Sequence, residues 1–139
     1  MDLHNNVKYS QGIAPIAAVT NNTAFVSAIV DTAGFENTEF IGVFGAIADA
    51  DVTLTVLVED GDNSSLNDNA AVADEFLLGV EAMGLNFDSD NKTFKIGYTG
   101  QKRYVRVTVT PANNTGNIFL AGVWAQSGAR KKPLTTQVV

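Results

Sequence analysis

The sequence predicts an all-β protein: an antiparallel β-sandwich, jelly-roll-like, with an extended N-terminal arm and a basic C-terminal tail. Three observations lead there. Short apolar runs recur with period two, the spacing of a strand with one buried face. Turn formers fall between those runs, with 13 Asn, 10 Asp and 12 Gly available to reverse the chain. Lys and Glu, which dominate exposed helices, are scarce, and charged residues reach only 17% against about 25% in an average domain. At 139 residues the chain suits one domain, divided into an arm at 1–20, a body at 21–126 and a tail at 127–139.

The elements follow in order. Residues 7–19 read as an extended arm, because Gly12 and Pro15 disfavour a helix and Pro15 limits any strand to an edge. Residues 23–30 are a strand, and DTAGFEN turns the chain. Residues 38–47 form the next strand, with Phe40 and Phe44 on one face and Ile41 and Val43 on the other. Apolar character on both faces marks a central or interface strand. In 52–58, Val52, Leu54, Val56 and Val58 point inward while Thr53 and Thr55 point out. The acidic, Asn-rich segment 59–70 is a long loop, of the kind that is functional or mobile.

Residues 71–83 have a composition that allows a short helix, but a short strand with Phe76 and Leu78 inward is the preferred reading, and 85–98 reads as a hairpin around Asp88–Asn91. Residues 102–110 alternate cleanly, with Arg103, Val105, Val107 and Val109 on one face and Pro111 ending the strand. Asn113–Gly116 is a hairpin turn, and 117–126 returns with Ile118, Leu120, Gly122 and Trp124 on one side.

Charge is sharply segregated. Residues 1–91 hold all 15 acidic residues and one base, Lys8; residues 92–139 hold the other bases and no acid. This split predicts either two electrostatic faces or a basic tail that docks on an acidic surface, both typical of an assembling subunit. Lys102, Arg103, Arg106, Arg130, Lys131 and Lys132 are the candidate subunit-contact residues.

Catalytic and metal chemistry find little support. Without Cys there is no disulfide, thiolate ligand or cysteine nucleophile. His4 stands alone, so neither a triad nor a histidine metal site is expected. Asp60–Ser64 and Asp88–Asn91 resemble fragments of calcium loops but lack the Gly and Glu positions of that motif, and read as turns. Glu36/Glu39 and Asp49/Asp51 lack the aromatic-lined cleft of a glycosidase. No phosphate-binding glycine motif occurs. The expectation is a protein with no catalytic residues, no metal and no cofactor.

Lys102, Arg103 and Arg106 with Tyr98 and Tyr104 could form a single-strand nucleic-acid platform. A net charge of −6 argues against direct nucleic-acid binding. A carbohydrate-binding module would need exposed aromatics, for which Trp124, Tyr98 and Tyr104 are the available set. The opening MDLHNNVKYS has no apolar run, and no stretch approaches the roughly 18 apolar residues of a membrane span, so no membrane contact is expected.

Four segments carry a resemblance. They are DLHNNV with Ala14-Pro15 shortly after, DTAGFENTEF at 31–40, GYTGQKRYVRVTVTPANNTG at 97–116 and GARKKPL at 128–134. Together they resemble a family of small virion proteins of tailed bacteriophages and prophages, encoded beside the major capsid protein and similar to capsid decoration or cement proteins. The resemblance implies synthesis in the host cytoplasm, a place on the outside of the capsid, the major capsid protein as partner and a homo-oligomer, typically a trimer. A head–tail completion or tail structural protein is the alternative within the virion. A carbohydrate- or calcium-binding β-sandwich is the alternative outside it.

Overall fold

A computed structural model describes residues 2–139. The strands are β1 (Val7–Ile13), β2 (Phe25–Val26), β3 (Val30–Asp31), β4 (Asn37–Ile47), β5 (Thr53–Gly61), β6 (Ala70–Ala71), β7 (Leu77–Leu78), β8 (Leu85–Asn86), β9 (Thr93–Tyr98), β10 (Tyr104–Ala112) and β11 (Ile118–Ser127). Two 3-10 turns, Asp74–Phe76 and Phe87–Ser89, are the helical elements among the described residues. No helix there is long and apolar enough to cross a membrane.

Two antiparallel sheets form a sandwich. The first has the order β1-β11-β4-β9-β7; the second has β10 and β5 at its centre, with β2 and β3 on one flank and β6 and β8 on the other. Apart from β2 to β3 and β5 to β6, every connection carries the chain into the opposite sheet. Such wrapping is the jelly-roll-like arrangement the strand spacing predicts.

Alternation builds the core. Leu54, Val56 and Val58 of β5 and Val105, Val107 and Val109 of β10 face Phe40, Phe44, Phe94 and Trp124 of the first sheet, and all are buried. Phe40 sits edge-on to Trp124 at 5.1 Å and tilted against Phe94 at 6.1 Å. Glycines make room for these rings. Gly122 pairs with Gly42 across β11 and β4, and a Cβ at Gly122 would enter the Phe40 ring, one at Gly42 the Phe94 ring.

At one end the inner layer turns polar. Gln126 donates to the Asp31 carbonyl at 2.9 Å, and the Tyr98 hydroxyl donates to Asp60 at 2.6 Å while accepting from the Lys102 N–H at 3.0 Å. The bonds to Asp31 and Asp60 each join the two sheets, and that from Lys102 ties in the loop between β9 and β10. Burial, followed by the hydrogen bond to Asp60, pushes the Tyr98 hydroxyl well above the ordinary tyrosine range. Tyr98→Phe should therefore cost about 1.5–3 kcal/mol, the range for a hydrogen bond to a charged group. Urea denaturation reads this, and an unchanged midpoint would show that the bond contributes nothing.

Several expectations are corrected. The segment 1–20 is not arm throughout, because residues 7–13 pair with β11 as the edge strand of the first sheet. The strand at 23–30 is two short pieces flanking a bulge. Between the pairs Val26–Thr108 and Val30–Val105, three residues of this segment oppose two of β10, and Ser27 Oγ accepts the Val107 N–H at 2.9 Å. In 71–83 the inward side chains are Val72 and Leu77, not Phe76 or Leu78, which are 39% and 64% exposed. The 3-10 turn ending at Phe76 resets the alternation by one residue.

Neither expected hairpin exists. β8 pairs with β5 while β9 pairs with β4, so 85–98 passes between sheets. Likewise β10 and β11 lie in opposite sheets, and Asn113–Gly116 is an arch. Asn114 is buried in that arch, donating to the Asn21 carbonyl at 2.9 Å, and Asp49 accepts from the Thr115 N–H at 2.8 Å. Nor does Pro111 end β10. It pairs with Leu54, beyond the reach of the short β2, where the absent N–H interrupts no ladder on that side. Arg103 precedes the strand and lies exposed, not on the inward face.

Candidate functional site: an apolar sheet face and a charged pole

The outer faces of the two sheets differ in kind. That of the second sheet is mixed, with Thr53 and Thr55 on β5 and Thr108 and Thr110 on β10 beside the exposed Leu57 and Val26. Apart from Glu39 and Lys95, the central positions of the first sheet's outer face are uncharged and mostly apolar. Ile41 and Val43 of β4 lie beside Val123 and Ala121 of β11. The two-sided apolar pattern of 38–47 thus has two causes: β4 is central in its sheet, and its outer face belongs to this surface.

A trough of about 300 Å³ crosses this face. Register explains its shape. Tyr9, Ala125, Glu39, Gly97 and Leu78 stand side by side on five successive strands. Small residues on either side of Glu39 make the floor, and the larger Tyr9 and Leu78 make the two walls.

The charged pole lies at one end of the sandwich. β3, β5, β9 and β11 finish there and β10 starts there, so early acids and late bases come together. Lys102 pairs with Asp62 at 2.8 Å, Arg103 with Asp31 at 2.9 Å and Arg106 with Glu59 at 3.1 Å. Linear segregation of charge therefore produces intramolecular pairing and not two opposed faces. Arg106 is the most enclosed of the three bases, and its Nε is buried without a partner. Arg103 also lies 5.2 Å over the Tyr104 ring.

The paired guanidinium of Arg103, with lesser help from the Ala33 N–H, holds Asp31 below the ordinary carboxylate range. The sign follows. A carboxylate depressed in the folded state contributes stability that is present above its unfolded value near 3.8 and lost as pH falls through the lower folded value. Thermal melts from about pH 5 to about pH 2 should show Asp31→Asn with a shallower acid limb than wild type. Parallel acid limbs would refute the coupling.

The tail has a different position. Arg130, Lys131 and Lys132 are exposed and make no ion pair among the described residues. Backbone bonds from Arg130 N–H to the Gly34 carbonyl and from Leu134 N–H to the Asn5 carbonyl, both 3.0 Å, lay the tail along its own body. Of the six candidate contact residues, three are engaged at the pole and three present free charge.

The other candidate platforms are not assembled. Trp124 and Tyr98 are buried, leaving half-buried Tyr104 alone of the three expected aromatics. The acidic loop is braced by its own groups. Asp68 accepts from the N–H groups of Asp62 and Asn63, at 2.8 and 3.2 Å, and Leu66 is buried beneath. Those bonds, that from Asp62 foremost, lower the Asp68 carboxyl. No group of three metal-ligating side chains occurs among the described residues. His4 is exposed in the N-terminal segment. Sequence reasoning missed Glu39, Lys95, Tyr9 and Leu78 as one surface. Alternation assigns each a face, but only register sets them in one place.

No family model and no curated protein matches the chain. Among solved structures it is similar to PBSX exported protein XepA, with a TM-score of 0.53 and 16% identity. That match covers 94% of this chain, which spans only 39% of XepA. It is equally similar to a chain of the capsid of Ralstonia phage GP4, with a TM-score of 0.53 and 12% identity over 94% of this chain and 90% of that one. A CBM22-1 xylan-binding domain from Paenibacillus barcinonensis Xyn10C reaches a TM-score of 0.44 at 9% identity, over 91% of this chain and 88% of that one. At these identities the likeness establishes a shared β-sandwich fold.

Proposed function

We propose that this chain is a structural protein of a phage particle, a capsid decoration subunit that binds the outside of the head and stabilises capsomer contacts. One observation carries the reading: the fold is shared along nearly the whole of both chains with a component of the phage GP4 capsid. The resemblance of the four sequence segments points the same way. A rigid sandwich with one largely apolar outer face suits a role built on surface contact, with no catalytic step. Many weak contacts, repeated over an icosahedral shell, add through avidity.

The major capsid protein is the proposed partner, with the free charges of Arg130, Lys131 and Lys132 directed at acidic groups on the shell. Purified particles should contain the chain at capsomer-scale copy number, with its density on the outer surface in cryo-electron microscopy. Absence from particles would overturn the reading; a single ring at the portal vertex would move the protein to the head–tail junction. Neutralising Arg130, Lys131 and Lys132 to Ala should weaken binding to heads lacking the protein. Stability should change by no more than about 0.5 kcal/mol, as for other exposed positions. Unchanged head binding would remove the tail from the contact.

A further inference from the structure

The trough face carries one acid and one base near its centre, Glu39 on β4 and Lys95 on β9. They are diagonal neighbours, Glu39 standing opposite Gly97 and Lys95 opposite Ile41. Neither makes an ion pair among the described residues. We propose that this face is a self-complementary interface between two copies of the chain, with Glu39 of each copy set against Lys95 of the other.

Three features select a second copy as the occupant. The first is charge. An apolar partner would bury Glu39 and Lys95 unpaired, which is strongly unfavourable. A second copy supplies the matching base and the matching acid together. The second is symmetry. A two-fold axis lying in the contact plane, through the midpoint between Glu39 and Lys95 and perpendicular to the line joining them, exchanges the two positions, as an isologous contact requires. The third is shape. Glu39 lies on the trough floor between Gly97 and Ala125, so an incoming lysine stem has room beside it, and Leu78 and Tyr9 offer apolar and aromatic walls to that stem.

The area is consistent. The five strands, ~4.8 Å apart and from two residues long in β7 to eleven in β4, average about seven residues at ~3.3 Å and give a flat footprint of about 450 Å² per copy. Doubled, this lies close to the ~1,000 Å² that a specific interface needs, before side-chain relief and the rim residues Val7 and Phe119 are counted. The outer face of the second sheet, where Thr53, Thr55, Thr108 and Thr110 surround the exposed Leu57 and Val26, is less apolar, and a pair formed this way leaves it outward on both copies.

The test is sedimentation velocity and light scattering on the full chain across a wide concentration range. Wild type should be a monomer–dimer equilibrium. Glu39→Lys and Lys95→Glu should each raise the dimer Kd by about a hundredfold or more, since each creates two like-charge contacts per dimer. The double variant E39K/K95E should return Kd to near the wild-type value. Val43→Lys, an exposed site on the same face, should also dissociate the dimer, with its melting temperature unchanged at concentrations where wild type is monomeric. A monomer or a trimer at every concentration would overturn the proposal, as would a dimer indifferent to Val43→Lys or a charge swap without rescue. A monomer whose head binding is lost in Val43→Lys would assign the face to the shell instead, leaving the virion reading intact.

Discussion

Replacing Trp124 by alanine should lower the unfolding free energy by about 3–5 kcal/mol, the range for removing a large aromatic from a packed core. Trp124 is 1% exposed, edge-on to Phe40, and donates its indole N–H to the Ala28 carbonyl at 3.0 Å. The lost side chain removes apolar burial and leaves a cavity. It also removes one of two donors to the Ala28 carbonyl, the other being the Ser27 hydroxyl, in the bulge that ties the second sheet to β1, where the Ala28 N–H donates to Gly12 O at 2.8 Å. Against a total of about 5–15 kcal/mol for a domain, such a loss is a large fraction of the stability. Trp124→Phe separates the two parts, since it refills part of the space but cannot donate; it should recover more than half of the loss. Guanidinium denaturation monitored by circular dichroism reads both variants. A W124A midpoint within error of wild type would refute this view of the core.

The second large effect is expected from the smallest substitution. Gly122→Ala should cost about 1–3 kcal/mol, because the new Cβ enters space already filled by the Phe40 ring. Relief is blocked on both sides. Phe40 is fully buried and held between Trp124 and Phe94, and the same Cβ would come within 3.2 Å of the Ile13 N of β1. Backbone conformation is not the obstacle, since Gly122 is not among the residues with positive φ. The penalty is therefore steric, and it should fall when Phe40 is shortened. In a double-mutant cycle, Gly122→Ala in a Phe40→Leu background should cost less than in wild type. Strictly additive penalties would show that the clash lies elsewhere.

Much of the fold is legible in single strands. The alternation of Leu54, Val56 and Val58, of Val105, Val107 and Val109, and of Ile118, Leu120, Gly122 and Trp124 assigns each inner face correctly. Signals fail where a local rule has two outcomes. Asn113-Asn114-Thr115-Gly116 has the composition of a hairpin turn, yet it is an arch, because Asn114 finds its partners in residues 21 and 22. Phe76 and Leu78 satisfy a period-two reading, yet one 3-10 turn shifts the alternation and buries Leu77.

The candidate site divides in the same way. The six bases are visible in the sequence as a charge imbalance, and three of them turn out to pair within the chain while the tail bases do not. The trough face is invisible in one dimension. Tyr9, Leu78 and Gly97 are unremarkable where they stand, and only the register across β1, β11, β4, β9 and β7 sets them around Glu39.

By itself, the sequence determined that this protein is a β-sandwich and which side chains of its long strands form the core. Alternation is a property of each strand alone, and burial of one face follows directly from it. Only the tertiary structure decided which strands are neighbours, that nearly every turn changes sheet, and that opposite charges meet at one pole. The reason is physical. A turn residue makes reversal easy but does not say which sheet the chain re-enters. That choice is made by contacts between segments far apart in sequence, and these place the end of β3 and the end of β5 beside the start of β10.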